Sequence, residues 1–145
     1  MYFIVYSLTI HILNADDLSF VTQILGQFKK IDIREGVNIA CLRNDCKVNV
    51  YNYTDFNNPN ILNSGFSKVS DIQYSSNEYF LAARTENPIS ILIFTSENTD
   101  HILTFNENKK FKDYVVYGSK DTRFDNFVLC YDDDYFKIWD IDNGN

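Results

Sequence analysis

Asn126-Phe127-Val128-Leu129-Cys130-Tyr131-Asp132-Asp133-Asp134-Tyr135-Phe136-Lys137-Ile138-Trp139-Asp140 reads as a strand, a turn and a second strand. Residues 126–131 are a nearly unbroken apolar run, the pattern of a strand covered on both faces. Residues 135–140 interrupt their apolar residues with polar ones and close on an aromatic. The run of Asp between them suits a tight turn, because a short carboxylate bonds back to nearby amides.

The same arrangement occurs twice more. Val37-Asn38-Ile39-Ala40-Cys41-Leu42 and Cys46-Lys47-Val48-Asn49-Val50-Tyr51 flank Arg43-Asn44-Asp45, while Tyr79-Phe80-Leu81-Ala82-Ala83 and Ile89-Ser90-Ile91-Leu92-Ile93-Phe94 flank Thr85-Glu86-Asn87-Pro88. The aromatic ends Tyr51, Phe94 and Trp139 are 43 and 45 residues apart. A four-stranded propeller blade occupies roughly 40 to 45 residues. Between the hairpins, residues 69–74 alternate and lead through the polar residues 75–78, residues 101–105 read as an outer strand, and Asp55-Phe56-Asn57-Asn58-Pro59 turns into a short strand at 60–62. The expectation is all-β: about three blades of a partial β-propeller in one domain, each a four-stranded antiparallel sheet, at residues 28–64, 65–106 and an incomplete 107–145.

Residues 1–27 are a leading segment. Ser7, Thr9 and His11 alternate with apolar residues, so residues 2–13 read as one strand, and with no basic start they fit a signal peptide less well. Residues 18–28 fit a helix capped by Asp16 or Asp17, yet Gly26 and β-branched Val21, Thr22 and Ile24 fit a strand equally.

The chain has 145 residues, 45% hydrophobic and 16% aromatic, with twelve Phe and ten Tyr against one Trp, which favours strands over disorder. A formal net charge of −7 argues against nucleic acid and anionic membranes as partners, and Lys29-Lys30 and Lys109-Lys110-Phe111-Lys112 read as solvated faces. No stretch approaches the ~20 apolar residues of a membrane span, so no direct membrane insertion is expected. Cys41, Cys46 and Cys130 are odd in number and lack a C-x-x-C pair, which fits a cytoplasmic, reducing setting.

From Gly65 to Ala83 the sequence resembles the opening of a WD40 repeat, a Gly-His dipeptide, a first strand, a serine-led turn and a second strand, with Gly65-Phe66 in the dipeptide's place. Residues 134–140 resemble its closing strand with the Trp-Asp dipeptide, here Trp139-Asp140. The resemblance covers roughly residues 28–144 and implies a non-catalytic scaffold that binds other proteins as a subunit of a larger complex. Phe66 stands where the family has histidine, and the third copy offers Trp139 and one of Asp132 to Asp134 but no histidine, so the family's His-Ser-Asp-Trp tetrad is incomplete. A narrower similarity, through Asp45-Cys46-Lys47-Val48, residues 69–75 and residues 78–82, is to the amino-terminal propeller of the Hermansky-Pudlak syndrome type three proteins. It implies a place in vesicle trafficking and the biogenesis of lysosome-related organelles.

No catalytic, cofactor-binding or metal site emerges, and the chain does not read as an enzyme. His11 and His101 read as partly buried strand histidines, and five glycines form no phosphate-binding loop. Cys41, Cys46, His11 and His101 lack zinc-ligand spacing; Asp140-Ile141-Asp142-Asn143-Gly144 places its glycine fifth, against a calcium loop's sixth. Cys41 and Cys130 hold equivalent places and read as small packing residues. Propellers close radially, so three blades would leave apolar faces open, and the chain is expected to be a fragment or to need a partner. The alternative is a self-contained secreted or viral β-sandwich binding domain, with a signal ending near Ala15 and glycan at the Asn52-Tyr53-Thr54 sequon.

Overall fold

The computed structural model describes residues 2–5, 9–34, 37–65, 68–76, 78–95, 98–107, 110–118 and 126–144. All regular structure among them is strand. The strands are β1 (Tyr2–Val5), β2 (Thr9–Asn14), β3 (Phe20–Leu25), β4 (Phe28–Arg34), β5 (Asn38–Arg43), β6 (Val48–Asn52), β7 (Asp55–Ile61), β8 (Val69–Tyr74), β9 (Phe80–Glu86), β10 (Ile89–Thr95), β11 (Leu103–Asn106), β12 (Asp113–Tyr117), β13 (Phe127–Tyr131) and β14 (Phe136–Asp140). They form four sheets in which each strand pairs with its neighbour in sequence, β1-β2-β3, β4-β5-β6-β7, β8-β9-β10-β11 and β12-β13-β14. All these pairings are antiparallel. Such consecutive meanders, each closed on itself, are the blade unit of a propeller, and a two-layer sandwich would instead exchange strands between sheets.

The chain divides into two compact units, Met1–Ile61 and Leu62–Asn145. In the first, Ile10 and Ile12 of β2 and Ile24 of β3 pack with Phe28, Ile39, Cys41 and Tyr51. In the second, Phe80, Ala82, Ile91, Ile93 and Phe105 pack against Tyr114, Val116, Val128, Cys130 and Trp139, so one face of β12-β13-β14 covers one face of β8 to β11. β5, β9 and β10 are buried on both faces over nearly their whole length, as their unbroken apolar sequences require.

Three local readings change. Residues 2–13 are two strands, β1 and β2, paired from Tyr2↔Asn14 to Val5↔His11. The alternation survives within β2, where Ile10 and Ile12 are buried and Thr9 and His11 half-buried, while Ser7 lies outside the described residues. Residues 20–25 are strand because β3 pairs with β2 and buries Ile24, a pairing that outweighs local helix propensity. Residues 55–59 belong to β7 itself, and Pro59 is tolerated because β7 is an edge strand bonded to β6 alone.

Ser75 shows how a turn is fixed. Its buried hydroxyl accepts the Tyr79 and Phe80 amides at 3.1 Å each, and its own amide donates to the Phe80 carbonyl at 2.8 Å. This closes the β8-β9 connection on the serine singled out in the sequence.

Candidate interaction surface

β12 and β13 carry apolar residues on both faces, but among the described residues only one face of their sheet is packed. Tyr114, Val116, Val128, Cys130 and Trp139 point into the core. The alternate residues make the outer face, which strand register arranges in three rows: Asp113, Tyr131 and Phe136; Val115, Leu129 and Ile138; Tyr117, Phe127 and Asp140. All but the two acids are apolar or aromatic. Phe136 is 73% exposed, Ile138 57%, Val115 41% and Tyr117 38%. The Tyr117 and Phe127 rings stack at 5.4 Å, and the Tyr131 hydroxyl donates to Asp113 Oδ2 at 3.3 Å. Scattered exposed apolar residues are ordinary; a contiguous exposed apolar face is the kind of patch that marks an interaction site or a tendency to aggregate.

The edge of this sheet adds to the case. Among the described residues β14 bonds to β13 only, whereas the corresponding strand of the adjacent sheet, β10, carries β11 on its far side. The outer edge of β14, a strand that itself carries exposed Phe136 and Ile138, presents backbone donors and acceptors beside apolar side chains. The outer face of β2-β3 is more mixed, with exposed Phe20 and Leu25 beside Thr9, His11 and Gln23.

Trp139 takes no part in a histidine-centred network among the described residues. Its ring stacks on Phe105 at 5.4 Å and is covered by Lys137 Nζ at 4.7 Å from the ring centre. Lys137 also reaches Glu107 Oε2 at 3.1 Å. An aromatic stack capped by a cation thus holds the end of β14. Phe66 lies outside the described residues, as does Lys109.

The other residues singled out in the sequence have local roles. The Asp132 amide donates to the Tyr135 carbonyl at 2.9 Å, Asp132 Oδ1 accepts the Asp133 amide, and Asp133 pairs with Lys112 at 2.7 Å, so the acidic run is a hairpin turn. Asp140 accepts from the Asp142 and Asn143 amides and from the Asn143 side chain, the last of which holds its carboxyl below the usual range. Its oxygens are therefore committed to the turn that follows β14. Among the described residues, no three of His, Cys, Asp and Glu come together as a metal site.

His11 meets the edge of Phe20 at 6.3 Å between ring centres. His101 differs from expectation: it is exposed and precedes β11, with Nδ1 3.3 Å from the Asn63 carbonyl. Cys41 and Cys130 are buried free thiols, pushed up to about 12 by burial, while half-buried Cys46 accepts from Lys29 Nζ at 3.3 Å. Asn52 is exposed, its Oδ1 accepting from the Thr54 amide and hydroxyl at 2.9 and 2.7 Å.

No protein-family model matches the chain, and no curated protein matches it. Among solved structures, a chain from "Crystal Structure of Mitotic Checkpoint Complex" matches with a TM-score of 0.71 at 12% identity, covering 95% of this chain and 43% of that one. At that identity the likeness is one of fold, and this chain spans less than half the length of its neighbour. The meanders and this likeness define the class: an all-β chain with the fold of a partial β-propeller.

Proposed function

We propose that the chain is a non-catalytic scaffold for other proteins, and that the outer face of β12-β13-β14 docks a further apolar-faced β-meander carried by a partner polypeptide. The observation that carries this reading is the outer face itself, three rows of side chains with seven apolar or aromatic members. The occupant follows from the opposite face of the same strands. Those residues, of the same chemistry and spacing, are covered by a four-stranded antiparallel meander. A sheet of that kind fits the second face as it fits the first.

The setting we infer is the cytoplasm, supported by three free thiols, with the chain acting as one domain and a subunit of a larger complex. The sequence similarity to the Hermansky-Pudlak syndrome type three propeller supports a place in vesicle trafficking and the making of lysosome-related organelles. A photo-crosslinking amino acid at Phe136 or Ile138, introduced into the protein in its native cells, tests the docking. Adducts mapping to an apolar strand of a β-meander are expected, with none from the same group at exposed Asp45. Equal adducts from both positions, or none from Phe136 and Ile138, would refute it.

A further inference from the structure

Arg84 stands at the rim of the core in the second unit. On β9 it follows Phe80 and Ala82 on the face turned toward β12-β13-β14, but its side chain ends the apolar row with a charge. Its guanidinium carbon lies 5.7 Å from the centre of the Phe111 ring, and its Nε donates to Ser70 Oγ at 3.4 Å. The fork is thus held from one side by an aromatic and along one edge by a hydroxyl. Among the described residues it has no carboxylate within ion-pair distance.

A cleft of about 290 Å3 opens beside it, lined by Arg84, Glu86, Asn87, Ile89, Lys110 and Phe111. Arg84 is half-buried, Phe111 is buried, and Lys110 and Glu86 are exposed. Asp71, opposite Arg84 on β8, does not line the cleft and is itself engaged. The lining therefore carries two cations against one acid, within a chain of net charge −7.

We propose that this cleft binds one carboxylate side chain of a partner protein, a Glu or Asp flanked by apolar residues. The proposal rests on the reading of the chain as a protein-binding scaffold and names what a second surface of it takes. A guanidinium pre-set by a ring and a hydrogen bond offers its remaining N–H groups to a planar carboxylate with little further ordering. Lys110 adds attraction at the mouth, and Phe111 and Ile89 give the ligand's methylenes an apolar bed. Glu86 on the wall repels a dianion more than a monoanion, which selects carboxylate over phosphoryl. The volume is near the lower end of ligand pockets, about 300 Å3, and fits one side chain with its flanks.

The test is titration calorimetry of the 145-residue chain with acetyl-Leu-Glu-Leu-amide, against the Gln and phosphoserine versions of the same peptide. The Glu peptide is expected to bind saturably, and the Gln peptide at least about tenfold more weakly, as for loss of a charged hydrogen-bond partner. Arg84→Gln is expected to produce the same loss. Lys110→Gln should weaken binding and Glu86→Gln tighten it, each by about two- to threefold, the scale of exposed charge pairs. These two exposed positions carry the test should Arg84→Gln fail to fold. Equal binding of the Gln peptide, no response to either exposed substitution, or tighter binding of the phosphoserine peptide would each overturn the proposal. Phe136→Asp should leave peptide affinity unchanged, so failure at the cleft and failure of the outer-face docking are separately visible.

Discussion

Cys41 and Cys130 occupy the same place in two hairpins and meet the same physics. Each is buried on a central strand, and burial opposes the thiolate enough to push both thiols up to about 12. A maleimide at pH 8 should therefore label one thiol in the native protein, Cys46, and all three after unfolding. The linkage sign follows. An unfolded thiol loses its proton near about 8.5 while the folded ones keep theirs, so the unfolded state binds fewer protons and stability falls as pH rises from about 9 toward 12. The slope should approach about 1.4 kcal/mol per pH unit for each thiol, read from urea midpoints, and Cys41→Ala with Cys130→Ala should flatten it. Gly118 gives a second prediction at this scale. A Cβ there would stand 2.7 Å from Asn126 Oδ1 and 2.8 Å from the Phe80 ring. Gly118→Ala should cost about 1–3 kcal/mol in chemical unfolding; an unchanged midpoint would show that this packing yields freely.

Neighbouring residues of β14 separate the two faces of its sheet. Trp139 is buried against Phe105, so Trp139→Ala should cost about 3–5 kcal/mol in chemical unfolding. Ile138 points outward, and Ile138→Lys should change stability by less than about 1 kcal/mol. The hairpins β5-β6 and β9-β10 were legible because strands buried on both faces leave apolar runs and their turns leave Asp, Asn and Pro; β13-β14 left the same signature although only one face of its sheet is packed among the described residues. β12 was not legible: Tyr114-Val115-Val116-Tyr117 is as apolar outside as inside, and no polar beat marks its period. The break between β1 and β2 was hidden for a different reason. The alternation of Ser7, Thr9 and His11 with apolar residues reads as one continuous strand, and no Gly, Pro, Asn or Asp in residues 2–13 marks where the chain folds back. Pro59 misled in the opposite direction, since a turn residue is also acceptable on an edge strand.

At the scale of the molecule, four consecutive meanders in two compact units account for the likeness of fold at only 12% identity. Apolar alternation and turn spacing carry these meanders without a buried polar network at Trp139, whose ring is held by Phe105 and Lys137 among the described residues. The candidate surface was only half legible. An apolar strand at residues 127–131 raised the prospect of an open face, but assigning the rows to one side required the registers of β12, β13 and β14. The Arg84 cleft left no mark in the sequence, because it depends on Phe111 and Ser70 meeting Arg84 from other elements. Sedimentation velocity on the purified chain, beside a Phe136→Asp, Ile138→Lys double variant of equal stability, bears most directly on the outer face. Without its partner the wild-type chain should associate with rising concentration while the double variant stays a 17.0 kDa monomer. A wild-type chain that remains monomeric and cooperatively folded throughout would contradict the account.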